Sequence, residues 1–179
     1  MAVLGIVYLM AALAVAFYGA NALFLAALYL RRRRESAPDT PQPEKWPPVT
    51  VQLPIYNEYY VVERLIDAVA RLDYPRELLQ IQVLDDSTDE TTRLARSRVD
   101  YHRAQGLDIQ LLHRRDRSGF KAGALDKGLK SASGEFIAIF DADFLPPEDF
   151  LKRTVPHLVA RPGLAFVQTR WGYLNDRYS

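Results

Sequence analysis

The chain opens on an unbroken apolar run: between residues 3 and 30 only Asn21 carries a strongly polar side chain. A helix rising about 1.5 Å per residue over such a run exceeds the ~30 Å hydrocarbon core of a bilayer, which predicts a retained transmembrane helix. No basic residue precedes the run, and it is too long for a cleaved leader. Beyond a polar, proline-rich interval the pattern shortens. Compact apolar runs at 49–53, 81–84, 109–112, 136–140 and 164–168 predict strands, and helical periodicity at 61–72, 121–132 and 147–160 predicts helices between them. Ser87 and Glu90 have capping-box spacing, predicting a further helix from there towards Gln105 that stops near Gly106. Pro156 lies inside the last helix and is expected to kink it. The five apolar residues from Phe136 to Phe140 have no polar break and predict a strand buried on both faces. Strand and helix alternating this regularly imply a mostly parallel sheet covered by helices, a Rossmann-like α/β layer.

Charge and proline then divide the chain. Arg31 to Arg34 follow the apolar run directly, so this end is expected in the cytoplasm, beside anionic lipid headgroups. Pro38, Pro41, Pro43, Pro47 and Pro48 make the next stretch a stiff, extended linker. The expected organisation is a transmembrane helix with a basic flank over 1–34, a linker over 35–48 and a globular part over 49–179. Lys and Arg number 23 against 22 Asp and Glu, a net charge of +1 that gives no field for nucleic acid. The absence of cysteine excludes a disulfide framework, a thiolate zinc site and a cysteine nucleophile.

Candidate chemistry sits at the strand ends. In an open α/β sheet, ligands gather outside the carboxyl ends of the strands. The first predicted strand runs into Pro54-Ile55-Tyr56-Asn57-Glu58, the second into Asp85-Asp86-Ser87-Thr88-Asp89, and the fourth into Asp141-Ala142-Asp143. In an extended chain Asp141 and Asp143 fall on one side, where two carboxylates suit Mg²⁺ or Mn²⁺ completed by substrate phosphates. Solvated strand-end acids are the bland alternative. Tyr56 can stack on a nucleobase and Glu58 can hydrogen-bond to it, although Glu58 also suits a helix-capping acid. Asp85 and Asp86 crowd two like charges and call for donors or a cation. Lys121 begins a helix, where the macrodipole disfavours a cation, so a diphosphate partner is expected there. Arg114, Arg115 and Arg117 can add phosphate contacts, but a solvated loop is the better reading for all three. His102, His113 and His157 have no ligand spacing. Trp46 reads as a linker anchor and Trp171 as a core or acceptor-cleft residue.

Pro54-Ile-Tyr-Asn-Glu58, Asp85-Asp-Ser-Thr-Asp89, Lys121-Ala-Gly-Ala-Leu125 and Phe140-Asp-Ala-Asp-Phe144, in this order, resemble the family 2 glycosyltransferases of GT-A fold. Among these the likeness is greatest to the cellulose-synthase-like mannan and glucomannan synthases, and it covers the chain from about Trp46 onward. The resemblance implies Tyr56 and Glu58 at the nucleobase, Asp85 and Asp86 at base and ribose, and Lys121 near base and diphosphate. It makes Asp141 and Asp143 the DxD motif, with Asp143 the direct ligand of Mg²⁺ or Mn²⁺. The family's Thr-Glu-Asp motif, which carries the general base, does not appear, nor does its Gln-x-x-Arg-Trp motif or its later membrane helices. The chain therefore resembles the amino-terminal, donor-binding part of such an enzyme, apparently truncated.

The resulting expectation is a membrane-anchored, inverting glycosyltransferase moving a hexose from GDP-mannose or UDP-glucose to a growing β-linked polysaccharide. Two alternatives stay open: an enzyme making a lipid-linked sugar, and a nucleotide-sugar-binding fragment without turnover. A dehalogenase-type phosphatase also uses Asp-x-Asp after a strand, but its motif continues into Gly-Thr, where this chain has Phe144-Leu-Pro.

Overall fold

A computed structural model of the chain describes residues 2–32, 42–169 and 172. The chain divides into two compact units, Met1–Asp39 and Thr40–Ser179. The first contains α1 (Ala2–Arg32), a helix with no buried residue and with Arg31 and Arg32 in its last turn. It is apolar on every side and long enough to cross a membrane. Arg33, Arg34 and the first part of the proline-rich linker lie outside the described residues.

The second unit is the expected α/β layer. Four strands, β1 (Val49–Ile55), β2 (Leu79–Asp85), β3 (Asp108–His113) and β4 (Phe136–Ile139), form one parallel sheet in the order β3-β2-β1-β4. Four helices join or follow them: α2 (Val62–Ala70), α3 (Thr91–Ala104), α4 (Phe120–Leu129) and α5 (Phe150–Val159). Because side chains alternate along a strand, the sheet has two unlike faces. Val49, Val51, Leu53 and Ile55 with Ile81, Val83 and Ile109 make the apolar face. It packs against Val62, Leu65, Ile66 and Val69 of α2, Ala95 and Val99 of α3, and Leu151 and Val155 of α5. Each fully buried aliphatic side chain here contributes about 1.5–3 kcal/mol, which makes this layer the main source of stability.

The opposite face is polar yet buried. Gln52 donates to Gln82 at 3.0 Å, Gln82 to Ser131 at 3.2 Å, and Thr50 to Gln80 at 2.9 Å. Gln80 and Thr50 in turn accept the backbone N–H groups of Ser133 and Gly134. The pairing spares these amides most of the penalty of unmade hydrogen bonds, and among the described residues Gln52 Oε1 is the buried amide oxygen left without a partner. α4 covers this face closely, since a Cβ at Gly128 would come within 2.6 Å of Gln52 Nε2. The linker's end is stitched to the sheet: Pro48 accepts Glu135 N–H at 2.8 Å, and Tyr74 donates to Pro47 at 2.6 Å with Trp46 edge-on to its ring. Burial, helped by the charge of Glu135, pushes the Tyr74 hydroxyl up to about 12.

Three sequence expectations are corrected. β4 is an edge strand with half-buried residues, not one buried on both faces: its register sets Ile137 and Ile139 on the polar face, and Ile139 remains 48% exposed. Apolar composition alone does not distinguish a central strand from an edge strand whose outer neighbour is missing. Residues 164–168 form no strand. They line a cavity of about 500 Å³ together with β4, and the two segments are held apart without a ladder. The Ser87–Glu90 capping box does not form either. Asp89 instead accepts Thr91 N–H at 2.9 Å at the start of α3, while Ser87 accepts the N–H of Asn57. Gly106, at φ +86°, ends the turn after α3 as expected.

α2 and α3 are clamped by Asp67, which receives Nε and Nη2 of Arg98 and lies 2.7 Å from His102 Nε2. Burial alone would raise this carboxyl, but the bonds from Arg98 and His102 outweigh it and hold it below the usual carboxylate range. A lowered folded value means that the stabilisation is fully present above the ordinary Asp range and is lost as pH falls through the folded value. Asp67→Asn is expected to cost about 1–3 kcal/mol at neutral pH and to flatten the decline in stability below about pH 4. Urea unfolding followed by circular dichroism across pH checks both.

Candidate donor-binding site

The strand order reverses at β1, with β2 and β3 on one side of it and β4 on the other, and a crevice opens at the carboxyl ends there. A cavity of about 400 Å³ lies there, lined by Tyr56 and Glu58 after β1, Asp86 after β2, Arg117 and Lys121 at the start of α4, and Asp141 and Asp143 after β4. Of the seven residues singled out in the sequence, six share this cavity.

Asp85 is the exception. As the last residue of β2 it faces inward with 0% exposure, away from the cavity. Its Oδ1 accepts Ser87 N–H at 2.9 Å, its Oδ2 accepts the Thr92 hydroxyl at 2.7 Å, and His113 Nδ1 lies 2.8 Å from the same oxygen. Its lone pairs are taken up by the fold, so the structure sets it apart from the base and ribose contact implied by the resemblance. Asp86 points the other way and receives a bidentate fork from Arg114 Nε and Nη2. Both side chains are less than 10% exposed. The adjacent carboxylates therefore avoid mutual repulsion by pointing in opposite directions to separate donors.

Arg114 and Arg117 are correspondingly not solvated. Arg114 also donates to the carbonyls of Ser118 and Phe120, and the bonded Asp86 raises its already high pKa. Arg117 stacks its guanidinium 3.4 Å from the centroid of Tyr56 and 5.2 Å from that of Phe120. Arg115 is the exposed member of the three. The Asp116 carboxylate closes the loop by accepting the backbone N–H and hydroxyl of Ser118, bonds that lower its pKa.

Backbone strain concentrates on this cavity. Asn57 and Phe120, each next in sequence to residues of its lining, are the described non-glycine residues with positive φ. Asn57 holds its conformation by accepting Thr88 N–H at 2.9 Å and donating its own N–H to Ser87, which clips the β1 and β2 loops together. Gly123 is required by a close approach, since a Cβ there would collide with the Ser118 carbonyl. That accounts structurally for the glycine of Lys121-Ala-Gly-Ala-Leu125.

Asp141 and Asp143 lie in a turn closed by Phe144 N–H to Asp141 O at 3.0 Å. They reach one cavity through that turn and not through strand alternation. Lys121 Nζ pairs with Asp141. Among the described residues no three acidic, histidine or cysteine groups converge on a metal position. Two carboxylates nevertheless fit a small hard cation that keeps waters and takes its other ligands from a phosphorylated substrate. Four carboxylates facing two cations line the cavity, so a diphosphate brings yet more negative charge, which a divalent cation offsets. None of the three histidines lies in that lining.

The model of the family described as "Glycosyl transferase family 2" matches residues 50–178. Among curated proteins, the chain is 46% identical over 134 residues to a probable glucomannan 4-beta-mannosyltransferase 6 of Oryza sativa subsp. japonica, covering 73% of this chain and 23% of that protein. It is 44% identical to glucomannan 4-beta-mannosyltransferase 7 of Arabidopsis thaliana, covering 73% and 24%. The chain thus spans about a quarter of the length of these relatives. Among solved structures, mannosyltransferase PcManGT from Pyrobaculum calidifontis in complex with GDP-Man and Mn²⁺ superposes with a TM-score of 0.68 at 36% identity, covering 82% of this chain and 42% of that one. TarS 1-349 of S. aureus in complex with UDP-GlcNAc gives a TM-score of 0.56 at 26% identity, covering 64% and 32%.

The Arg114–Asp86 pair fastens the α4 loop to β2. Arg114→Met strands a buried carboxylate and is expected to lower stability by about 3 kcal/mol, measured by urea unfolding.

Proposed function

The chain belongs to glycosyl transferase family 2, with an α/β unit of GT-A-like fold, and on that premise we propose that it is the donor-binding part of a membrane-anchored, inverting hexosyltransferase. The donor is a nucleotide-diphosphate sugar, GDP-mannose first and UDP-glucose second, and the acceptor a growing β-linked polysaccharide. α1 anchors the chain and the α/β unit faces the cytoplasm. The observation that carries this reading is the single cavity that gathers Tyr56, Glu58, Asp86, Lys121, Asp141 and Asp143 at the reversal of strand order.

In this reading Tyr56 lies at the base with Arg117 over its ring, and Glu58 offers the base an acceptor. Asp86, with one side of its carboxylate held by Arg114, turns its remaining lone pairs to base and ribose. Lys121 leaves Asp141 for the diphosphate, an exchange of one anion for another at nearly constant charge. Asp141 and Asp143 hold Mg²⁺ or Mn²⁺, which supplies Lewis-acid stabilisation of the departing diphosphate. Every carboxylate of the cavity is then engaged by donor, cation or Arg114. Among the described residues none is left over for the acceptor hydroxyl, which favours, as a second reading, a chain that binds donor without turning it over.

Calorimetric titration of the detergent-solubilised chain with GDP and UDP, each with and without Mg²⁺ or Mn²⁺, tests the proposal; metal-dependent binding of one nucleotide is expected. Asp143→Asn should weaken that binding by about 10- to 100-fold with the circular dichroism spectrum unchanged; undiminished metal-dependent affinity removes the metal assignment. Lys121→Met is expected to act in two directions. It frees Asp141 and tightens Mn²⁺ binding without nucleotide, while weakening the nucleotide complex, and electron paramagnetic resonance of Mn²⁺ reads the first effect directly.

A further inference from the structure

Arg117 is the cation of this site that no protein anion uses. Arg114 spends its fork on Asp86, and Lys121 its ammonium on Asp141. The Arg117 side chain has no hydrogen bond or ion pair with a described residue; its Nε is buried without an acceptor, and the guanidinium lies over the rings of Tyr56 and Phe120. A guanidinium fixed by aromatic stacking keeps its in-plane N–H donors free, because the rings take its face and not its edge. Leaving such donors unmatched costs free energy, which a ligand's acceptors recover on binding.

Its position indicates which part of a ligand it meets. Lys121 and the Asp141–Asp143 turn mark one set of contacts in the cavity, suited to a diphosphate and its cation. Arg117 lies instead on Tyr56, the flat aromatic surface of the same cavity, with the Glu58 carboxylate also in the lining. Two adjacent donors held in a plane over the Tyr56 ring match two adjacent acceptors on the edge of a base lying coplanar with the guanidinium. Guanine presents such a pair, O6 and N7, and arginine reads it bidentately. Guanine also offers neighbouring N1–H and N2–H donors to a carboxylate, whereas uracil has a single N–H between two carbonyls and no second acceptor next to O4.

We propose that Arg117 is a specificity-determining residue that selects a guanine nucleotide by donating to O6 and N7 beside Tyr56. This rests on the donor-binding reading above and goes beyond it by assigning the base choice to one side chain. Phe120, strained at φ 49° and with its ring centroid 5.2 Å from the guanidinium, helps to keep the fork in place. The strain at that residue thereby acquires a purpose at the site.

The test is calorimetry on the full chain in detergent with Mn²⁺, using GDP, UDP and 7-deaza-GDP, in which carbon replaces N7. The unaltered chain is expected to bind GDP about 10- to 100-fold more tightly than UDP, and roughly tenfold more tightly than 7-deaza-GDP. Arg117→Met keeps an apolar stem over Tyr56. It should weaken GDP at least to the affinity that the unaltered chain has for 7-deaza-GDP, abolish the difference between the two ligands, and leave UDP within about twofold. The comparison of GDP with 7-deaza-GDP on the unaltered chain stands even if the variant fails to fold. Equal affinity for these two ligands, a preference for UDP, or equal loss of all three nucleotides in Arg117→Met overturns the role of Arg117 while the donor site stands. No nucleotide binding by the folded, unaltered chain overturns the donor site itself, and this inference with it.

Discussion

The parallel pairing of β1 with both β2 and β4 is the constraint on which everything functional depends. Val49 aligns with Leu79 on one side and with Phe136 on the other, so Ile55 finishes level with Asp85 and the chain leaves β4 two residues before Asp141. Parallel strands require crossovers, and these run to opposite faces on the two sides of β1: α2 and α3 cover the apolar face, α4 the polar one. The loops between those crossovers line an open cavity among the described residues. The cavity is what this topology leaves open, and its polar residues are those that the strands carry to their ends.

Electrostatics decides how so many acids coexist there. Asp85 and Asp86 are neighbours in sequence but belong to opposite faces of β2, one buried under Thr92 and His113, the other forked by Arg114. Asp141 is balanced by Lys121, a cation placed against the dipole of α4 that has its reason in the carboxylate 20 residues away. Each pairing costs desolvation or strain, and the strained residues Asn57 and Phe120 stand where two loops must meet. The fold bears those costs through the apolar face of the sheet, which is complete and free of charge at its centre.

The polar face tells a related story. Thr50, Gln52 and Gln82 are buried, and Gln80 half-buried, although their composition suggests solvent, because α4 carries Gly128 and comes near enough to cover Gln52 and Gln82. Their amides bond to one another and to the turn before β4, which fixes where that strand starts and so where the Asp141 turn falls. A stacked amide layer thus sets the height of the chemistry two turns further along the chain.

The sequence by itself determined the strand and helix order, the apolar first helix, and the loops that hold the chemistry, because periodicity and strand-end polarity are local properties. It also brought out six of the residues lining the cavity. What it left undecided depended on partners distant in the chain. Whether Asp85 meets a ligand turned on Thr92 and His113, and whether the arginine loop is solvated turned on Asp86 and Tyr56, the latter 61 positions before Arg117. β4 reads like a central strand, yet it lies at the edge, and residues 164–168 have strand composition but no ladder. Propensity acts within a few residues, whereas a strand, a buried carboxylate or a stacked guanidinium exists only once the tertiary structure brings its partner alongside.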